Sequence, residues 1–180
     1  MQIDELQAVF RYCARCGADH LEIVDDHRLF CPDCNFEYFH NVATAVGALI
    51  ISRKGLLLLE REKEPARGKF SLPGGFVDPG ETLEEALLRE CEEEIGWKAD
   101  RKALEYFCSF PNTYRYKEVL YYTCDIFYII KQDTFDAANL YRDPLEVSSL
   151  RIVPLTEIQS ETLAFESTRK AVAMLLKTNG

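Results

Sequence analysis

The segment Thr82–Gly96 constrains this chain most, because it reads as a helix whose acids sit on the wrong side. Thr82 followed three residues later by Glu85 is a capping-box start, and Gly96 is a stop signal. At 100° per residue, Leu83, Leu87 and Cys91 line an apolar stripe. Glu94 projects near the middle of that stripe, and Glu90, Glu93 and Glu94 share an arc of about 100°. Glu85, Arg89 and Glu92 point the other way. A solvated acidic helix would carry its charges opposite the stripe. Three acids at i, i+3 and i+4 repel one another, and an unpaired carboxylate at a core edge is costly. A divalent cation removes both problems, since Mg²⁺ takes carboxylate oxygens and keeps waters and substrate phosphates as its other ligands. Arg89 stands one turn from both Glu85 and Glu93 and is placed to orient one of them.

The stretch Gly75-x₅-Glu81-x₇-Arg89-Glu90-Cys91-x-Glu93-Glu94-x-Gly96-Trp97 resembles the Nudix box, GX₅EX₇REUXEEXGU, with every fixed letter present. Cys91 and Trp97 fill its two apolar positions, and Lys69-Phe70-Ser71-Leu72-Pro73-Gly74 looks like the family's lead-in. The resemblance implies a protein of the α/β (α+β) class, an α/β/α sandwich around a mixed sheet. It also implies Mg²⁺- or Mn²⁺-dependent hydrolysis of a nucleoside diphosphate linked to another moiety, such as ADP-ribose, NADH or NAD, or an NDP-sugar. The family's catalytic and metal-binding positions fall on Arg89, Glu90, Glu93 and Glu94, with Glu81 and the Gly75 carbonyl as secondary ligands. Arg61 and Lys69, before the box, are candidate phosphate contacts or, equally, exposed solubilising charges. Glu93, Glu118 and Glu146 are candidate general bases. Homodimers are common in the resembled family.

Seven cysteines occur, four of them as Cys13-Ala-Arg-Cys16 and Cys31-Pro-Asp-Cys34. Two such knuckles facing each other complete a tetrahedral shell of four thiolates for zinc, which leaves no open position and so reads as structural. The interval between them fits a hairpin, and Asn35 suits the positive φ such a knuckle requires. Disulfides are disfavoured in a reducing compartment. Cys91, Cys108 and Cys124 sit in apolar surroundings and read as small core residues. We therefore expect a zinc ribbon over 1–40 and a Nudix-like domain over 41–180. A ribbon before the box also resembles the NADH pyrophosphatase branch of the family.

Strands are expected at 42–52 and 56–60, then at about 103–110, 115–130 and 147–153. A closing amphipathic helix is expected over 163–177, with Leu163, Val172, Leu175 and Leu176 inward. The NADH pyrophosphatase branch carries an SQPWPFPxS signature shortly after the box. Here Cys108-Ser109-Phe110-Pro111-Asn112-Thr113-Tyr114 keeps a Ser and a Phe-Pro pair of it. Pro111 and Tyr114 each match a different substrate pattern of the family, so that rule does not choose a substrate. Nine aromatics crowd 106–128, and Phe110, Tyr114 and Tyr116, beside an expected Pro-Asn turn, are the candidate base contacts.

The net charge of −9 and pI of about 4.9 repel phosphate backbones. Within 1–40, eight acids face three arginines, which argues against the ribbon as a nucleic-acid reader. The longest apolar run, Ala45–Ile51, falls far short of the ~20 residues a membrane span needs, and the N-terminus lacks a secretory h-region. The composite expectation is a cytoplasmic pyrophosphohydrolase acting on a small nucleotide, without membrane or nucleic-acid partners. The alternatives are a non-catalytic nucleotide sensor on the same scaffold and a decapping-type hydrolase acting on the 5′ end of RNA, against which the acidic charge weighs.

Overall fold

The computed structural model describes residues 6, 8–25, 27–133, 137 and 140–178. The chain forms two compact units, Met1–Val42 with Thr113–Tyr122, and Ala43–Asn112 with Thr123–Gly180. The first unit takes in Thr113–Tyr122, a segment that no sequence feature assigned to it.

In the first unit, β1 (Glu22–Val24), β2 (Arg28–Cys31) and β3 (Phe36–Phe39) form an antiparallel meander. The knuckles lie at its start and its second turn. Gly17 donates to the Cys13 carbonyl and Asn35 to the Cys31 carbonyl, each at 2.9 Å, and Asn35 adopts φ 55° as its sequence position requires. His40 is buried between the rings of Phe10 and Tyr121, with Nε2 3.1 Å from the Leu120 carbonyl.

The six-stranded sheet consists of β4 (Ala43–Ser52), β5 (Gly55–Arg61), β6 (Phe70–Ser71), β7 (Glu105–Tyr116), β8 (Val119–Lys131) and β9 (Val147–Val153), of which residues 113–116 of β7 and 119–122 of β8 belong to the first unit and the rest to the second. Their order is β6-β5-β4-β8-β7, with β9 also paired to β5. β4 runs parallel to β8 and antiparallel to β5, so the sheet is mixed. Helix α1 (Leu83–Ile95) covers one face and α2 (Glu166–Thr178) the other. Leu57, Leu59, Ile126 and Ile130 pack with Ala86, Leu87 and Cys91 of α1, while Leu56, Leu58 and Phe127 pack with Ala171, Val172 and Leu175 of α2. The run Leu56–Leu59 is apolar throughout because both faces of its strand are covered.

Two expectations are corrected. Pro111-Asn112 does not turn the chain: β7 continues through it to Tyr116, and the reversal comes at Lys117, with φ 52°. Proline lacks an N–H for the ladder, and β7 tolerates it as the terminal strand of the order. The closing helix begins at Glu166 rather than 163. Leu163 is fully buried, but in the turn before it, and Leu176 is only half-buried.

Candidate active site

Helix α1 begins and ends where the sequence places it. Thr82 caps the Glu85 N–H, Glu85 returns the bond to Thr82, and Gly96 closes the helix in the left-handed conformation at φ 63°. Glu85 is thereby committed to the cap, so Arg89 does not orient it. Arg89 instead reaches back to Glu81 through Nε (2.8 Å) and Nη2 (3.1 Å). Its Nη1 donates to Glu90 at 2.8 Å and Glu93 at 3.1 Å, and Nη2 also donates to the Phe76 carbonyl at 3.0 Å. One planar guanidinium thus holds three box carboxylates and the loop backbone, which its fork of donors allows and an ammonium would not.

The three acids expected to bind metal differ in exposure. The Glu93 side chain is 59% exposed and that of Glu90 14%, while Glu94 is 9% exposed. The Glu94 carboxylate receives the Gly74 backbone N–H at 2.9 Å. Burial pushes its pKa up to about 8, with Glu90 and Glu146 adding to the rise. Burial also raises Glu90, against the pull of Arg89.

The loop before α1 is locked to β4. Val46 donates to the Gly75 carbonyl, Ala48 to Pro73 and Val77 to Thr44, at 2.8–3.0 Å. This close approach demands glycine at Gly74, where φ is 145° and a Cβ would stand 2.0 Å from the Val46 carbonyl oxygen. At Gly75 a Cβ would stand 2.5 Å from Glu90 Oε1, so the carboxylate lies in the space a side chain would fill.

Arg61 donates to the Pro65 carbonyl at 2.9 Å, stacks 4.9 Å from the centroid of Phe165, and its charge opposes the rise at Glu94. Lys69 is exposed on the same hairpin. Glu146 pairs with Lys63 and acts electrostatically on Glu90 and Glu94. Glu118 lies in the first unit, as do Tyr114 and Tyr116, whereas Phe110 lies in the second, packed against the core beneath α2. The three aromatics chosen as base contacts are thus not one cluster within a unit.

The donors are carboxylate oxygens, the kind a hard divalent cation takes. Glu94 is a buried carboxylate with a single neutral donor, Glu90 and Glu146 add negative field, and Glu93 faces solvent. Elsewhere, the Cys13, Cys16, Cys31 and Cys34 Sγ atoms all lie within 4.8 Å of one another. The Cys13–Cys34 and Cys16–Cys31 pairs stand at 3.6 Å, close to the ~3.8 Å edge of a tetrahedron with Zn–S bonds of about 2.3 Å.

Residues 42–175 match the family model of the NUDIX domain. The chain belongs to the Nudix family. NAD-capped RNA hydrolase NudC of Deinococcus radiodurans is 26% identical over 181 residues, covering 99% of this chain and 61% of that protein. NudC of Chromobacterium violaceum is 35% identical over 102 residues, 56% of this chain and 38% of its own. The ADP-ribose pyrophosphatase of Methanocaldococcus jannaschii is 49% identical over 59 residues, a third of each chain. This Nudix chain spans less than two thirds of each of these relatives. A Nudix hydrolase from Nitrosomonas europaea shares the fold with a TM-score of 0.65 at 23% identity, covering 93% of this chain and 90% of that one. The Nudix domain of Shewanella oneidensis NrtR, solved with ADP ribose, does so with a TM-score of 0.64 at 21% identity, covering 84% and 94%.

The sequence pattern named every carboxylate in this arrangement. It missed Phe165 beside Arg61, and it missed a polar cluster around Asp125 on the face under α2. A lone acid inside the apolar run of β8 was the available signal.

Proposed function

We propose that this Nudix chain is a metal-dependent pyrophosphohydrolase that cleaves the diphosphate of a nucleoside diphosphate joined to a second moiety. The observation that carries the reading is the Arg89 fork, which aligns Glu81, Glu90 and Glu93 beside the buried Glu94. Glu90, Glu93 and Glu94 would hold Mg²⁺ or Mn²⁺, with Glu81 and the Gly75 carbonyl as further oxygens. The bound metal supplies charge neutralisation at the diphosphate and an acidified water. The chain's own groups do the rest. Arg89 fixes the carboxylates, and Arg61 and Lys69 offer positive charge on the approach. Glu93, the solvent-facing acid, takes the proton that water releases as its oxygen bonds phosphorus and the phosphoanhydride P–O bond breaks. Glu146 and Glu118 are the other two bases to test. Phe110, on the same unit as the box, is proposed to meet a ring of the substrate.

Glu93→Gln should lower kcat by roughly 10³-fold on ADP-ribose or NADH with the thermal transition unchanged. Near-normal turnover would sink the assignment. Glu146→Gln and Glu118→Gln measured alongside identify the base by which pH profile loses its acidic limb.

The ADP-ribose and NAD-capped RNA activities in the relatives' names share one chemical event, cleavage of a diphosphate attached to adenosine. The acidic residues of 1–40 support a small nucleotide over an RNA body as the substrate. A steep loss of RNA binding with added salt would argue the other way. The four-thiolate cluster is proposed as a structural Zn²⁺ site, supported by the sulfur spacing. A ribbon over 1–40 and a catalytic domain over 41–180 go with the reading. A cytoplasmic setting also goes with it. So does a homodimer, which light scattering tests. No helix of the described residues is long and apolar enough to cross a membrane.

A further inference from the structure

Strand β8 alternates between the two cores until it reaches one residue that fits neither. Ile126, Tyr128 and Ile130 face α1, and Phe127 and Ile129 face α2. Asp125 falls on the α2 face and is half-buried. Its Oδ2 accepts from Asn112 Nδ2 at 2.9 Å and from Ser167 Oγ at 2.5 Å. Ser167 is fully buried in the first turn of α2. Both lone pairs of Oδ2 are therefore used. Oδ1 meets no donor among the described residues. One pleat away on the same face, the buried Thr123 Oγ1 has no partner either. A tether between sheet and helix needs one oxygen only. The second is not among the buried unpartnered atoms, so it is open to solvent and free to accept from a ligand.

The sheet register shows where that ligand would come from. Asp125 pairs with Ala45 on β4, and Ala45 is bridged to Phe76, the residue after Gly75. Asp125, Ala45 and Phe76 thus form one row on one face. Two strand spacings of about 4.8 Å put the carboxylate about 10 Å from the box loop. A nucleoside spans such a distance between its diphosphate and its base edge. Ala45, in the middle of the row, presents only a methyl group. Phe110 lies two residues before Asn112 on β7, on the same core face, and offers a ring for stacking.

We propose that Asp125 reads the base of the substrate, its Oδ1 accepting from an exocyclic amino group while Asn112 and Ser167 hold Oδ2. This rests on the pyrophosphohydrolase reading and adds its base specificity. A single free acceptor suits a base whose only edge donor is the amine, which adenine and cytosine provide. Guanine presents adjacent N1–H and N2–H groups and suits a carboxylate with both oxygens free. Hypoxanthine presents a carbonyl where adenine has its amine and is rejected.

The test uses Asp125→Asn, which keeps an acceptor for Ser167 and Asn112 but turns the free acceptor into a donor. The kcat/KM values of ADP-ribose, CDP-ribose and IDP-ribose are compared in the two proteins, together with calorimetric affinities for ADP, CDP and IDP. Wild type should favour ADP-ribose over IDP-ribose by roughly 10- to 100-fold, and the variant should shrink or invert that ratio. The CDP-ribose arm distinguishes purine from pyrimidine. An ADP/IDP ratio that is the same in both proteins overturns the proposal, as does a wild type indifferent to the base. If no diphosphate is cleaved but ADP binds over IDP in a manner that the variant abolishes, the hydrolase reading fails and the base reading stands.

Discussion

The Gly74 N–H points at the Glu94 carboxylate, 2.9 Å away, and Gly74 itself is pressed against the Val46 carbonyl. The bond ties the loop before the helix to the most buried acid on the helix. β4, loop and α1 are therefore joined by hydrogen bonds, and the position of Glu94 depends on a backbone that only glycine can adopt.

Gly74→Ala and Gly75→Ala should separate stability from chemistry. At Gly74 the new Cβ meets backbone at φ 145°, which costs about 2 kcal/mol or more and lowers Tm by several degrees. At Gly75 its three nearest neighbours are atoms of the Glu90 carboxylate, the far end of a side chain, so Tm should hold while metal affinity and turnover fall roughly 10- to 100-fold. Equal thermal shifts in the two variants would contradict the assignment of Glu90 to that space.

Arg89→Lys keeps the charge and loses the fork. With Glu81, Glu90 and Glu93 no longer held together, the Mg²⁺ concentration for half-maximal activity should rise roughly 10- to 100-fold. An unchanged metal dependence would reduce Arg89 to a surface ion pair.

The buried Glu94 makes a stability prediction with a definite sign. Unfolded, the group releases its proton near 4.5, and folded it holds the proton to about 8. Between those values the native state binds more protons, so raising pH weakens the fold in metal-free buffer, with the loss complete above about 8. Mg²⁺ should offset the loss by binding the ionised form. Tm measured from pH 5.5 to 8 should fall more steeply for wild type than for Glu94→Gln. Parallel curves would show that burial does not protonate this acid.

One zinc per chain is expected by elemental analysis, and Cys31→Ser should abolish it. Metal binding of this kind supplies about 10 kcal/mol or more to small domains, so the meander β1–β3 should become protease-sensitive while Ala43–Asn112 stays resistant. A chain free of zinc, yet resistant throughout, would rule out the structural site.

The first and last residues of α1, its cap, the acids it carries and the two cysteine knuckles were all legible in the sequence. Each depends on residues within a few positions of one another, where helical period, capping chemistry and ligand spacing act directly. The same holds for the positive φ of Asn35. Arg89 marks where that reach ends. Its i,i−4 neighbour Glu85 was an equally good partner on the helix, until the capping box claimed it and the loop brought Glu81 and Phe76 within range.

Strand order decided the rest. Pro111-Asn112 has the composition of a turn, yet an edge strand tolerates a missing N–H, and nothing local announces which strand is at the edge. The row Asp125–Ala45–Phe76 joins residues from three distant parts of the chain through a parallel pairing and one isolated bridge. Parallel register is set by the packing of both sheet faces under α1 and α2, not by any turn between the strands. The sequence by itself determined the family, the acidic helix and the paired cysteine knuckles, because those are short-range patterns. Only the tertiary structure decided which acid is buried, which carboxylates Arg89 holds, and that a solitary aspartate in β8 lies in line with the loop before α1.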